Sequence, residues 1–262
     1  MHQADRQPDE NRPSGINALL TALQFLLVSP AFIRRPFTPE ELGAAVGFYP
    51  LAGMVLGLLL AGGHYLLALV LPPLLSAVLT LVLWVILTGA LHLDGFIDTI
   101  DGLLGGFTPE QRMEIMRDER VGAYALAGGT LLLLNKFSAL AAAPWLTPAL
   151  LIAPLLGRWG IALAVVAYPY ARQSGLGRAV KDHAGLPQAV GATLFTLAAL
   201  AVLTLWAPIA PVIFSLLVAG LVTILFAQFA LRRLPGLTGD IYGAINELVE
   251  AAVLIVWCIL WR

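Results

Sequence analysis

The sequence contains few charged residues and almost no cysteine, and both shortages narrow the class of protein. Of its 262 residues only 12% are charged, whereas roughly a quarter is usual in a soluble domain. The formal net charge of −1 leaves no excess of basic residues for a nucleic-acid-binding surface. Cys258, the single cysteine, cannot form a disulfide framework or a cysteine-based metal site within one chain.

Apolar residues make up 59% of the chain, which is more than the interior of a soluble domain of this length can bury. Seven apolar stretches are long enough to cross a bilayer, for which about 20 residues are needed. Because backbone amides in hydrocarbon need partners within the protein, each stretch is predicted to be a helix. The predicted spans are residues 43–71, 74–92, 121–143, 148–169, 188–206, 209–230 and 241–261.

The N-terminal part differs from these spans. Residues 1–15 are polar, carry both charge signs and are expected to be flexible, without the pattern of a cleaved signal peptide. Residues 16–33 are apolar but shorter and interrupted by polar side chains, which favours an interfacial or re-entrant helix over a full span. The sequence therefore predicts an all-α, polytopic transmembrane helical bundle. We expect about seven spans plus this N-terminal helix, in a single integral membrane domain of residues 1–262.

Basic residues are distributed unevenly between alternate connections. The connections at residues 72–73, 144–147 and 207–208 contain no charged residue. The positive-inside rule places the charged connections in the cytoplasm. Their basic residues are Arg6, Arg12, Arg34, Arg35, Arg112, Arg117, Arg120, Arg172, Arg178, Lys181, Arg232 and Arg233, which leaves Lys136 and Arg158 within spans and Arg262 at the far end.

The segment LHLDGFIDTIDGLLGGF contains three aspartates, Asp94, Asp98 and Asp101. On a helix their i, i+4, i+7 spacing places them within about 60° of one another. Three carboxylates on one stripe repel unless a cation lies between them, and oxygen ligands suit Mg²⁺, which also binds substrate phosphates. The absent side chains of Gly95 and Gly102 would let a phosphate or a second backbone approach. The alternative, a solvated helix face, does not explain the apolar residues between the aspartates.

A second group of charges lies in and beside the predicted spans. Asp240 and Glu247 are seven residues apart, so they share one face of the last span, at its cytoplasmic end. Glu247 and Glu250 fall within the hydrocarbon region, where ionisable residues indicate function or a buried partner. Lys136 and Arg158 are the expected partners. Simple charge compensation within the bundle is the structural alternative for these four residues.

The segment YPYARQSGLGR follows the fourth span. Gly175 and Gly177 make its backbone permissive, and Arg172 and Arg178 flank it. Such a loop can bind phosphate through backbone N–H groups and guanidinium donors. It equally fits a basic anchor at the cytoplasmic membrane surface.

The order of these motifs resembles that of the adenosylcobinamide-GDP ribazoletransferase, or cobalamin synthase, family. The family pattern H-x-D-G-x-x-D-x-x-D-G is followed by an acidic residue in a charged string before the next span. Glu119 departs from it, because a small polar residue is usual at that position. The matching residues are His92, Asp94, Gly95, Asp98, Asp101, Gly102, Arg117, Asp118 and Gly122, with further matches at 135–137, 169–177 and 238–244.

The resemblance implies a Mg²⁺-dependent transferase of a bacterial inner membrane, with its active site on the cytoplasmic face. It would join adenosylcobinamide-GDP to α-ribazole or its 5′-phosphate, giving adenosylcobalamin or its 5′-phosphate and GMP. The catalytic residues implied are Asp94, Asp98, Asp101 and Asp118, of which the first three would hold the metal. The residues expected to bind substrate are His92, Gly95, Gly102, Arg117, Lys136, Arg172, Asp240 and Glu247.

Two other functions fit parts of the pattern. CDP-alcohol phosphotransferases also place several aspartates beside membrane helices, but their D-G-x-x-A-R opening is absent, because Asp98 follows Phe96 and Ile97. A cation-coupled transporter would use ionisable residues within the spans as its coupling path. Transporters often contain inverted repeats, and no convincing repeat is visible in this sequence.

Overall fold

The computed structural model describes residues 14–260. Residues 1–13 and 261–262 lie outside the described residues and include Arg6, Arg12, Arg262 and most of the N-terminal segment that is predicted to be flexible. Between residues 14 and 260 the chain forms twelve α-helices, one 3₁₀ turn and no β-strand, so the predicted all-α fold is confirmed.

The helices follow one another with short connections. They are α1 (Gly15–Leu26), α2 (Pro39–Ala45), α3 (Tyr49–Ala68), α4 (Pro73–Thr88), α5 (Leu91–Gly105), α6 (Pro109–Ile115), α7 (Ala123–Ala142), α8 (Leu146–Ala167), α9 (Leu176–His183), α10 (Leu186–Leu203), α11 (Ile209–Leu231) and α12 (Gly239–Ile259).

Six segments are long and apolar enough to cross a membrane, and α4 with α5 makes a seventh if this bent pair counts as one span. The first of the six joins α2 and α3 through the 3₁₀ turn Val46–Phe48. At 12 residues, α1 is too short for an ordinary span. These helices agree with the prediction of about seven spans and a shorter N-terminal helix.

The sequence predicts one helical span over 74–92, and the structure differs there. Between α4 and α5 the chain turns by 91°. Gly89 and Ala90 both adopt left-handed backbone conformations, with φ of 57° and 58°. Glycine tolerates this conformation, whereas alanine is strained in it. The turn directs α5, which carries the three aspartates, away from the axis of α4.

The centre of the bundle is α8, in which every residue from 148 to 162 is buried. Helices α3, α10, α11 and α12 pack around it. Helices α10 and α11 expose large apolar side chains on their outer faces, such as Leu194 and Leu217. Hydrocarbon is the favourable surrounding for such surfaces, which is consistent with a protein embedded in the bilayer.

The glycines of α3 allow close contact with α8. A methyl group added to Gly57 would lie 2.7 Å from the carbonyl oxygen of Leu150 and 2.8 Å from the Cα atom of Leu151. One added to Gly53 would clash with the carbonyl oxygen of Pro154. The small-xxx-small pair formed by these two glycines therefore serves packing within the chain.

We expect Gly57→Ala to destabilise the folded protein by about 1–3 kcal/mol, because the added methyl meets backbone atoms that cannot rotate away. Gly62→Ala is the matched control, since no atom lies within 4 Å of the added Cβ position. Thermal denaturation of both variants in detergent measures the difference. Equal melting temperatures would contradict the packing assigned to Gly57.

Candidate active site

The candidate site lies where α5 crosses the first turns of α12. Two glycines allow this crossing to be close. A methyl group on Gly95 would lie 2.9 Å from the carbonyl oxygen of Asp240, and one on Gly243 would lie 3.0 Å from that of His92. The sequence predicts that a second backbone or a phosphate can approach Gly95, and in the structure the backbone of α12 does so. Whether Gly95 also binds substrate stays a prediction.

Two loops are joined beside this crossing. The N–H of Ala171 donates to the carbonyl of Leu237, and the N–H of Leu237 donates to the carbonyl of Pro169, both at 2.8 Å. This bridge places Arg172, which follows α8, next to the start of α12. There the Arg172 guanidinium forms an ion pair with Asp240 at 2.6 Å.

Asp240 is fixed by its own helix terminus as well. Thr238 begins α12 as its N-cap, accepting a hydrogen bond from the N–H of Ile241 at 3.3 Å. The Thr238 hydroxyl also donates to the Asp240 carboxylate at 3.2 Å. The Nε atom of Arg172 is buried without a hydrogen-bond partner among the described residues. This arginine therefore has a spare donor next to the site.

The carboxylates of α5 lie along the same edge. Asp94 is exposed and Asp98 is half-buried. The Asp98 carboxylate is within electrostatic range of Asp94, Asp240 and Asp101, with Arg172 as an opposing positive charge. Among the described residues, no three acidic, histidine or cysteine side chains converge to enclose a metal ion. Carboxylate oxygens fit Mg²⁺, but one or two of them would need further ligands from water or substrate phosphate.

Asp101 has a different environment from the other two aspartates. Its carboxylate accepts hydrogen bonds from the N–H groups of Gly122 at 3.0 Å and Ala125 at 3.3 Å. These amides belong to the start of α7, where backbone N–H groups have no partner within the helix. Asp101 therefore anchors α7 to α5, which the sequence did not indicate. Its predicted roles in catalysis and metal binding stay predictions.

Asp118 lies farther along, in the connection between α6 and α7. It shares a surface cavity with Asp101 and pairs with Arg120 at 2.6 Å. Hydrogen bonds from the Arg120 side chain lower the pKa of Asp118 to about 2. Such an exposed, strongly acidic carboxylate is a weak proton acceptor at neutral pH. The neighbouring Arg117 is exposed.

Gly102 faces the short helix α6. A methyl group there would lie 2.8 Å from the carbonyl oxygen of Arg112 and would clash with the side chain of Met116. Gly102 thus permits helix packing, as Gly95 does, and no contact shown by the structure tests its predicted role in substrate binding.

Four buried charges lie deeper between α7, α8 and α12. Lys136 Nζ contacts both Glu247 and Glu250 at 2.5 Å, and Arg158 pairs with Glu250. The four side chains are at most 8% exposed. Two positive and two negative charges compensate each other, so the partnership predicted for Lys136 and Arg158 is confirmed. This pairing is what charge compensation within the bundle requires.

His92 belongs to this buried network rather than to the exposed edge. Its side chain is 4% exposed, and its Nδ1 atom lies 3.4 Å from Nη2 of Arg158. The predicted substrate contacts of Lys136 and Glu247 would require access that these buried positions do not provide in this conformation. Glu247 consequently does not share the edge on which Asp240 lies. His92 also lines the cavity described next, so its predicted substrate contact stays a prediction.

A cavity of about 230 Å³ opens beside Asp94 and Asp240. Its walls are mainly aromatic and aliphatic. They are formed by Phe25, Leu26, Tyr49, Leu91, His92, Gly95, Ile161, Val165, Leu176, Gly177, Val180, Gly239, Tyr242 and Gly243. Neither Tyr49 nor Tyr242 could be predicted as a cavity residue, because aromatic residues are ordinary in apolar helices.

Comparisons with known proteins agree with the motif order. A family model described as Cobalamin-5-phosphate synthase matches residues 18–258. A protein of Stutzerimonas stutzeri named adenosylcobinamide-GDP ribazoletransferase is 43% identical over 246 residues, covering 90% of this chain and 96% of that protein. One of the same name from Desulforamulus reducens is 38% identical over 242 residues, covering 91% and 94%. No solved structure matches this chain.

The buried charges generate a prediction about stability. Lys136→Met leaves one uncompensated negative charge in the bundle, and we expect a destabilisation of about 3–5 kcal/mol. Adding Glu247→Gln restores charge balance, so the double variant should be more stable than Lys136→Met alone. Folded yield and thermal denaturation in detergent measure both. A double variant less stable than Lys136→Met would contradict the charge compensation.

Proposed function

The chain belongs to the cobalamin-5-phosphate synthase family, and from this premise we propose that the edge between α5 and α12 is the active site of an adenosylcobinamide-GDP ribazoletransferase. The hydroxyl of α-ribazole, or of its 5′-phosphate form, attacks the phosphorus that bears cobinamide. The bond from this phosphorus to the GMP oxygen breaks, GMP leaves, and the hydroxyl proton is released.

One observation carries the proposal: carboxylates and a guanidinium from distant parts of the chain gather beside an apolar cavity. Asp94 and Asp98 come from α5, Asp240 from α12, and Arg172 from the loop after α8. A diphosphate needs positive charge around its oxygens, and its reacting phosphorus needs a fixed position. Such a cluster beside a cavity fits phosphate chemistry.

Arg172 is proposed to bind the diphosphate. Its guanidinium already forms an ion pair with Asp240 and retains an unpartnered Nε donor. A planar guanidinium can donate to two phosphate oxygens at once. Asp240 and the loop bridge hold it in place, so little side-chain freedom would be lost when substrate binds.

Mg²⁺ is proposed as the metal, held by Asp94 and Asp98. Both residues offer hard oxygen ligands one helical turn apart, and substrate phosphate would complete the coordination. The bound ion would neutralise charge that develops on the phosphate oxygens. Asp101 is proposed to contribute through α7, by fixing the connection that carries Asp118.

The active site is proposed to face the cytoplasm of a bacterial inner membrane. Charged connections alternate with uncharged ones along the chain, and the aspartates of α5 lie on the charged side. Nucleotide substrates are also available on that side.

Neutralising the proposed metal ligands tests the site. Asp94→Asn and Asp98→Asn should each reduce GMP release by about a hundredfold or more, because each removes a carboxylate charge while keeping size. GMP is measured after incubating purified protein with adenosylcobinamide-GDP, α-ribazole and Mg²⁺. Asp182→Asn serves as control, since Asp182 pairs with Arg178 on α9 outside the edge. Near-normal turnover of both variants at limiting Mg²⁺ would refute the metal site.

Cysteine labelling tests the membrane orientation. In a variant without Cys258, a cysteine at position 110 should react only with reagent that enters the cytoplasm, whereas one at position 147 should react from outside. Both positions are exposed in the structure and lie in alternate connections. If a cysteine at position 147 reacted in intact cells only with reagent that enters the cytoplasm, the orientation would be contradicted.

A further inference from the structure

Tyr242 has an unusual position in the cavity between α5 and α12. It is 6% exposed, and among the described residues its hydroxyl has no hydrogen-bond partner. The ring stacks on Tyr170 with centroids 6.0 Å apart, which fixes its orientation. A buried hydroxyl without a partner costs free energy, so a ligand that accepts its hydrogen bond would be favoured in this cavity.

The cavity also limits the size and polarity of its occupant. Its volume of about 230 Å³ is below the range usual for sites that enclose a whole drug-sized ligand. It therefore suits one small part of a larger molecule. Apart from Asp94 and Asp240, the walls are mainly aliphatic and aromatic and include Tyr49 and Phe25. A group with many donors and acceptors would leave them unpaired there.

We propose that this cavity binds the benzimidazole base of α-ribazole, with the Tyr242 hydroxyl donating a hydrogen bond to the ring nitrogen that carries no substituent. This inference rests on the proposed function and assigns one substrate to one part of its site. The base is a flat fused ring system with a single free acceptor nitrogen, which matches a largely apolar cavity with the unpartnered Tyr242 hydroxyl in its wall.

The other substrate fits this cavity poorly. The corrin ring of adenosylcobinamide-GDP is far larger than a fused pair of rings and carries many amides. Its guanine has several donors and acceptors that apolar walls would not satisfy. With the base of α-ribazole inside, its ribose reaches the mouth, where Asp94 and Asp240 lie. The attacking hydroxyl is thereby placed beside the proposed phosphate site.

A comparison of two proteins and two nucleosides tests the hydrogen bond. Tyr242→Phe should raise KM for α-ribazole about threefold to tenfold, the loss expected for one neutral hydrogen bond, and leave KM for adenosylcobinamide-GDP unchanged. The second nucleoside is the indole analogue, in which CH replaces the acceptor nitrogen. With this analogue, Tyr242→Phe and wild type should have the same KM. Tyr65→Phe, an equal change at a tyrosine 65% exposed on α3, should alter neither.

The outcomes separate this inference from the proposed function. If wild-type protein releases no GMP, the proposed function is wrong; calorimetric titration with α-ribazole alone then tests the cavity directly. If wild type is active but Tyr242→Phe has an unchanged KM for α-ribazole, the cavity assignment is refuted and the proposed function stands. If Tyr242→Phe raised KM equally for α-ribazole and for the indole analogue, Tyr242 would act through packing, and the hydrogen bond would be refuted. An apolar occupant such as a lipid acyl chain would leave both KM values unchanged.

Discussion

The close crossing of α5 and α12 is the contact on which the site depends. Gly95 and Gly243 remove the side chains that would otherwise hold the two backbones apart. As a result the aspartates of α5 and Asp240 share one edge, and the apolar cavity opens directly beside it. Packing density in a membrane bundle is highest where small residues meet, so this geometry is fixed by steric contact rather than by the acidic residues themselves, which repel one another.

Buried ion pairs connect α12 to α7 and α8, deeper in the bundle than its crossing with α5. Lys136 on α7 and Arg158 on α8 both reach Glu250 of α12, so three helices meet at one carboxylate. In hydrocarbon each unpaired charge would be costly, which makes any other arrangement of these helices unfavourable. The pairs therefore contribute specificity more than net stability, in keeping with the general cost of burying charge. His92 contacts Arg158, and this contact connects α5 to the same network.

Much of this architecture could be predicted from sequence, because hydropathy and charge directly reflect the bilayer. The spans, the family and the pairing of buried charges all followed from local composition or motif order. The 91° turn before α5 did not follow from the sequence. Alanine disfavours the left-handed conformation that Ala90 adopts there, so packing imposes the turn. The contact between Asp101 and α7 could not be predicted either. The motif is the same for an aspartate that accepts hydrogen bonds from the start of α7 and for one that binds a metal. A cavity is shaped by residues from five or more segments, so Tyr242 carried no signal of its own.

The proposed site divides recognition of its substrates between two unlike surroundings. Phosphate chemistry needs charge and water at a membrane face, whereas a flat aromatic base is best held where water is excluded. At the start of α12 the two surroundings are only two residues apart, with Asp240 on the edge and Tyr242 in the wall of the cavity. A helix end that emerges from the bilayer provides this change of surroundings without any extra domain. A membrane location thus supplies the apolar half of the site, which explains why an enzyme acting on polar nucleotides can be built almost entirely from apolar helices.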